Sequence, residues 1–227
     1  AERFFVSLAD TLDATGVARL GRALEAMGAP HLQVMVGKAA ARRGIVVPRP
    51  YFARHPLHEM DLPVPTELAL AIARRESEFD ARVRSGAGAA GLMQLMPGTA
   101  AEMAGALGLD HERGQGLSDW RLNARLGAAY LADLADRFDG NVIMVSAGYN
   151  AGPSRARRWM ADRGDPRGGA EEDIVDWIEH IPFRETRNYV MRTAESLPVY
   201  RARLGRPVLP VPFSQELTGG TLLKRGE

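Results

Sequence analysis

An all-α fold is the expectation for this chain of 227 residues. Three observations predict it. Alanine is abundant, the apolar–polar alternation of strands is scarce, and most segments repeat apolar residues at helical spacing. At 45% hydrophobic and 25% charged, the composition is that of an ordinary globular protein, long enough for one good domain plus something smaller. The net charge of +1, from 29 basic and 28 acidic residues, gives no reason to expect nucleic acid or an anionic membrane as partner. No apolar run approaches the roughly 20 residues that span a bilayer. The absence of cysteine excludes disulfides and thiolate metal sites, which fits an oxidising compartment without proving one. The chain starts at Ala1 rather than Met, so the lack of a signal peptide says little about location.

Residues 2–13, 16–27 and 30–43 are predicted as three short helices, separated by Asp13-Ala14-Thr15-Gly16 and Gly28-Ala29-Pro30. Their apolar stripes, such as Leu20, Leu24 and Met27, lack an obvious further layer to bury them, which favours the tail end of a helical array over an isolated bundle. Residues 44–65 hold five prolines and read as an extended connector and a domain boundary. His55 and His58 lie in it at a spacing of three, but no third ligand accompanies them, so they read as surface histidines rather than a metal site.

The stretch from 67 to 98 is the informative one. Pro63-Val64-Pro65 stops what precedes it, and Thr66 suits a helix N-cap. Leu68, Ile72 and Phe79 mark an apolar stripe, and Glu76 falls on it. A half-buried carboxyl group resists ionisation and can hold a proton near neutral pH, which suits a general acid. Pairing with Arg74 or Arg75 is the plainer alternative. Glu78, about 200° further round the helix, points away. Residues 85–91, Ser-Gly-Ala-Gly-Ala-Ala-Gly, suit a tight turn or the close approach of a ligand. Gln94 then sits among apolar residues with an amide that both donates and accepts, and Pro97 starts a helix to about 107.

Beyond a loop at Asp110–Trp120, with Gly114 and Gly116, Asn123 is expected to cap a helix to about Phe138. Asn141 caps the next one, and Asp136 and Asp139 beside Gly140 read as turn chemistry rather than a calcium loop. That helix carries Tyr149 and Asn150, with Asn150 and Gly152 as candidate left-handed caps. Helices at 154–160 and 173–179 flank a loop at 164–169. The last long helix, to about Leu204, places Glu185 and Tyr189 on one face. Residues 205–227 are expected to be irregular and partly disordered unless they dock.

Four motifs in order carry a resemblance: Glu76-Ser77, Gly91-Leu92-Met93-Gln94, Ala147-Gly148-Tyr149-Asn150-Ala151-Gly152, and Glu185-Thr186-Arg187-Asn188-Tyr189. Together they resemble the soluble lytic transglycosylases of the lysozyme-like superfamily. Departures are Asp80-Ala81 where Asn-Pro is usual, Gly86 where Pro is common, and Gly148 before the tyrosine. The resemblance covers about residues 60–204. It implies a goose-type lysozyme-like domain at 61–204, preceded at 1–60 by the end of an α-superhelical domain with its linker, and followed by the tail at 205–227.

The resemblance further implies non-hydrolytic cleavage of the MurNAc-β-1,4-GlcNAc bond of peptidoglycan, leaving 1,6-anhydro-MurNAc ends, in the periplasm. Glu76 would be the catalytic acid and base. Ser77, Gln94, Met96, Tyr149, Asn150, Glu185 and Tyr189 would bind or position substrate; for Ser77, local closure of the helix is the other reading. The partner would be a glycan strand, with neither metal nor organic cofactor needed. The competing readings are a hydrolytic muramidase of goose-lysozyme type and a non-catalytic peptidoglycan-binding module.

Overall fold

The computed structural model describes residues 2–109 and 116–223. Among them are twelve α-helices and no β-strand, only isolated bridges of Ala90 with Arg84 and Leu95. Three helices come first: α1 (Glu2–Ala9), α2 (Ala14–Ala26) and α3 (Pro30–Arg42). They share a small core of Ala9, Val17, Leu24, Val36, Ala39 and Ala40, separate from the main one. Asp13 caps α2 by accepting the Gly16 N–H at 2.7 Å.

The proline-rich connector is not extended. Pro48 opens a short helix, α4 (Pro48–Tyr51), and Pro56 opens a 3₁₀ turn (Pro56–Glu59). Proline preset for the first helical turn explains both starts. The segment is packed as well as folded. Leu57, Leu62 and Val64 are buried in the main core, and the Phe52 ring meets Tyr200 edge-on at 5.6 Å. Arg74 donates to the Tyr51 carbonyl at 2.8 Å and stacks on the Tyr51 and Phe52 rings. His55 is no surface histidine. It is buried, stacked on Phe79 and edge-on to Trp120, and burial pushes it down to about 4.

The main core is built around α5 (Thr66–Ser77). It packs against α11 (Arg184–Arg203), which also packs on α8 (Val142–Ala151). Leu68, Leu70 and Ile72 of α5 and Val190, Leu197 and Tyr200 of α11 are fully buried. Thr66 is the first residue of α5, not its cap; Pro65 precedes it. Around these lie α6 (Pro97–Ala106), α7 (Trp120–Arg137), α9 (Pro153–Arg163) and α10 (Glu171–Glu179). The predicted loop at Asp110–Trp120 has residues 110–115, Gly114 among them, outside the described residues.

Asn141 caps α8 as expected, accepting from the Ile143 and Met144 N–H groups. Asn123 does not cap α7. Asp119 does, four residues earlier. Nor is Asn150 left-handed; it lies within α8, and Gly152 alone supplies the positive φ. At Gly148 a Cβ would lie 2.9 Å from the Phe138 ring, so a glycine there lets α8 press onto that ring.

The tail docks. Its helix, α12 (Phe213–Thr218), buries Leu217, and Leu222 follows it into the main core. Asn141 Nδ2 donates to the carbonyls of Leu217 and Gly219, so one side chain both caps α8 and holds the tail. Glu216, fully buried, meets Arg201 of α11, whose Nε also donates to Glu67 of α5 at 3.0 Å.

Candidate active site

A cleft of about 540 Å³ opens between the end of α5, the loop at 85–96, the end of α8 and the start of α11. Its lining includes Glu76, Gln94, Met96, Tyr149, Asn150, Glu185 and Tyr189, so seven of the eight residues singled out from sequence converge on it. The helix packing that brings α5, α8 and α11 together is what assembles them.

Glu76 stands half-buried on the last turn of α5. Tyr189, four-residue-spaced from Glu185 on α11 and itself buried, donates its hydroxyl to Glu76 Oε1 at 2.7 Å. Neither arginine beside Glu76 neutralises it. Arg74 faces the connector, Arg75 lies over the Tyr189 ring, and among the described residues Glu76 has no ion pair. Burial raises its pKa to about 7, opposed by the Tyr189 hydrogen bond and Arg75, and aided by the nearby Glu185 charge. A carboxyl group poised there can give a proton and take one back at neutral pH. Glu78 is turned away as expected and pairs with Lys38 of α3.

Ser77 is the residue the cleft does not include. It is buried, and its hydroxyl donates to the Leu92 carbonyl at 2.7 Å and the Ala73 carbonyl at 3.2 Å. These bonds tie the end of α5 to the loop, in keeping with local closure of the helix. That loop depends on Gly91, whose φ is 83° and whose Cβ would lie 2.1 Å from the Leu117 carbonyl oxygen and 2.2 Å from Asn123 Nδ2. Asn123 is the loop's buried strut. It accepts from the Met93 N–H at 2.7 Å and donates to the Ala90 and Leu117 carbonyls.

The polar groups of the cleft are already partly engaged, which fixes what each can offer. Gln94 sits at φ 47° and donates its amide to the Val83 and Gly91 carbonyls, both at 2.9 Å. Its oxygen is what remains for a ligand. Asn150 is the converse: its oxygen accepts from the Thr186 hydroxyl at 2.6 Å, leaving the NH₂ group to donate. Tyr149 donates to the Met93 carbonyl at 2.8 Å, and burial keeps its phenol neutral. Met96 is 45% exposed and forms an apolar wall, while Glu185 is exposed at the rim. Ser85, Ala87 and Ala89 also line the cleft, as their small size suggested. Arg75 and the orienting Thr186 were not singled out. Thr186 lay within a motif, but nothing local in the sequence links it to a residue 36 positions away.

Residues 59–170 match the family described as "Transglycosylase SLT domain". The soluble lytic murein transglycosylase of Salmonella typhimurium is 40% identical over 139 residues, 61% of this chain and 21% of that protein. A putative soluble lytic murein transglycosylase of Haemophilus influenzae is 32% identical over 182 residues, 80% of this chain and 30% of that protein. The 70 kDa soluble lytic transglycosylase of Escherichia coli superposes with a TM-score of 0.77 at 29% identity, over 93% of this chain and 34% of its own. Lytic transglycosylase Slt of Pseudomonas aeruginosa, solved as an inactive Glu-to-Gln mutant, gives 0.68 at 32% identity, over 89% and 33%. The chain thus spans about a fifth to a third of the length of these proteins.

Proposed function

Because the chain belongs to the transglycosylase SLT-domain family, we propose that it cleaves the MurNAc-β-1,4-GlcNAc bond of peptidoglycan and leaves 1,6-anhydro-MurNAc ends. The observation that carries this reading is a single protonatable carboxyl group, Glu76, held by Tyr189 in a cleft whose lining, among the described residues, has only one other carboxylate, the exposed Glu185. Ordinary glycosidases use two carboxylates, one of them for the nucleophile or the water. Here the substrate supplies its own nucleophile.

Glu76 gives its proton to the glycosidic oxygen as the C1–O bond breaks, and the N-acetyl carbonyl of the muramoyl sugar stabilises the cation at C1. The 6-hydroxyl of the same sugar then bonds to C1 and returns its proton to Glu76, so no water is consumed. Gln94 Oε1 and the Asn150 NH₂ group suit N-acetyl and hydroxyl partners, Met96 gives a sugar ring an apolar wall, and Glu185 meets polar parts of the glycan or its stem peptide. Tyr149 holds the loop that carries Gln94. In this reading residues 61–204 carry the chemistry, residues 1–60 are the end of a helical domain, and residues 205–227 brace the catalytic unit. The names of the relatives refer to murein, which supports a cell-wall substrate and a periplasmic location. Among the described residues no helix is long and apolar enough to cross a membrane.

Digestion of purified sacculi in ¹⁸O-labelled water separates this reading from hydrolysis. New muramoyl ends are expected unlabelled and lighter by one water, and Glu185→Gln is expected to weaken saccharide binding without changing the product. Labelled reducing ends as the main product would make the protein a muramidase, with Glu185 the first candidate base. Binding to sacculi without any cleavage would make it a binding module.

Tyr189→Phe tests the setting of the acid. Tyr189 stabilises the carboxylate, so its loss raises the Glu76 pKa above about 7. The acid must start protonated, and activity is lost as pH rises through that pKa. The alkaline limb of kcat/KM is therefore expected to move to higher pH, while kcat falls as the carboxyl loses its orienting partner. An unmoved limb would mean that another group sets it.

A further inference from the structure

The acid helix ends unusually. After Ser77 closes α5, Glu78 and Phe79 both take left-handed backbone, at φ 52° and 67°. Neither is the glycine that normally occupies such positions. Contacts from outside the helix hold them. Phe79 is buried against the His55 ring. Glu78 is gripped twice by α3: Lys38 Nζ pairs with its carboxylate, and His31 Nδ1 donates to its carbonyl oxygen at 2.9 Å. None of these three residues lines the cleft, yet the grip lies two residues from Glu76.

We propose that Glu78, Lys38 and His31 are positioning residues for Glu76, with α3 clamping the end of α5 and thereby fixing where the acid stands in the cleft. The proposal rests on the acid role given to Glu76 above. Glu76 is one residue from a helix end, and helix ends fray. A proton donor must lie within hydrogen-bond reach of its acceptor, and a displacement of about 1 Å can cost about 10²-fold in rate. Ser77 restrains the same turn from the loop side through Leu92. The clamp restrains it from the other side. Burial is the largest cause of the raised pKa of Glu76, so a carboxyl displaced from its place in the cleft titrates differently. The groups facing Glu76 are Tyr189 and Glu185 of α11, Arg75 of α5 and Tyr149 of α8. A clamp variant substitutes none of them, so a changed titration of Glu76 reports a changed position among them.

Lys38→Met is the first test. The Lys38 and Glu78 side chains are 39% and 30% exposed, and pairs this exposed add little to global stability, so the thermal midpoint is expected to stay near wild type. A positioning role predicts a fall in kcat of about tenfold with KM nearly unchanged. As the carboxyl regains water its pKa falls toward the ordinary value, so the alkaline limb moves to lower pH, opposite to Tyr189→Phe. Reversing the pair, Lys38→Glu with Glu78→Lys, is expected to recover most of kcat, whereas each single reversal does not. A ¹³C NMR titration of the Glu76 carboxyl needs no turnover and is expected to read about 7 in wild type and lower in Lys38→Met. A wild-type protein that makes no anhydro ends would defeat the functional reading, while the titration would still decide the clamp. Wild-type kcat and an unmoved Glu76 titration in Lys38→Met would overturn the proposal. So would a loss of kcat that merely tracks loss of folded protein in both Lys38→Met and Glu78→Gln. If Lys38→Met folds poorly, Glu78→Gln, isosteric but uncharged, takes its place under the same criteria.

Discussion

Glu76→Gln is expected to reduce release of anhydro-muropeptides by about 10²- to 10⁴-fold, the range that positioned acid–base groups supply. The amide keeps the shape of the carboxyl and can still accept from the Tyr189 hydroxyl, so the fold and binding of glycan should survive. What it lacks is a proton to give and take. Turnover is read by mass analysis of digested sacculi, and binding by co-sedimentation with them. Glu78→Gln, outside the cleft and coupled to the chemistry only through the end of α5, should lose no more than about tenfold. Comparable losses in the two variants would remove the single-carboxylate assignment. The inactive Glu-to-Gln mutant of the Pseudomonas aeruginosa relative shows that one such change is enough in that protein.

Much of this site was legible in the sequence because its signals are local. Glu76 on an apolar stripe, the run of small residues ending at Gly91, and the four-residue spacing of Glu185 and Tyr189 each need only a few neighbouring positions. The helices were legible for the same reason. Pairings across the chain were not. The hydroxyl that sets Glu76 comes from 113 residues away, and the partner of Asn123 is a loop 30 residues upstream. That burial is also why Asn123 looked like a cap: an amide before an apolar stretch fits either use, and only the packed structure shows that Asp119 took the cap. Residues 44–65 misled for a different reason. A run of prolines suggests an extended connector, but Pro48 and Pro56 sit where helices start, and Leu57 and Leu62 give the segment enough apolar surface to join the core. Composition alone does not distinguish a solvated linker from a folded strap. The tail shows the same limit. Its one helix among the described residues is six residues long, and a buried ion pair holds it where no periodicity announced one.

That ion pair carries the largest expected effect on stability. Arg201 Nη1 donates to Glu216 Oε2 at 2.8 Å, its Nη2 meets the other carboxylate oxygen, and its Nε donates to Glu67 Oε1 at 3.0 Å. Glu216 is fully buried, so Arg201→Ala would strand its charge in the core with no partner among the described residues. Breaking a buried pair in this way costs about 3–5 kcal/mol. For a domain of this size that lowers the thermal midpoint by roughly 6–20 °C. Arg206 provides the control. It also donates to Glu67, at 2.8 Å, but its side chain is 47% exposed, and such pairs contribute about 0–1 kcal/mol. Arg206→Ala should therefore barely move the midpoint. Combining Arg201→Met with Glu216→Met removes both charges and leaves apolar side chains to fill the space, so it should recover most of the lost stability. The loss should extend to catalysis, because Glu67 lies in the first turn of α5 and Glu76 in the last. Arg201 holds the start of the acid helix through Glu67 as Lys38 holds its end through Glu78. Equal midpoints for Arg201→Ala and Arg206→Ala would mean that the tail does not anchor the domain, and that the acid helix is held at one end only.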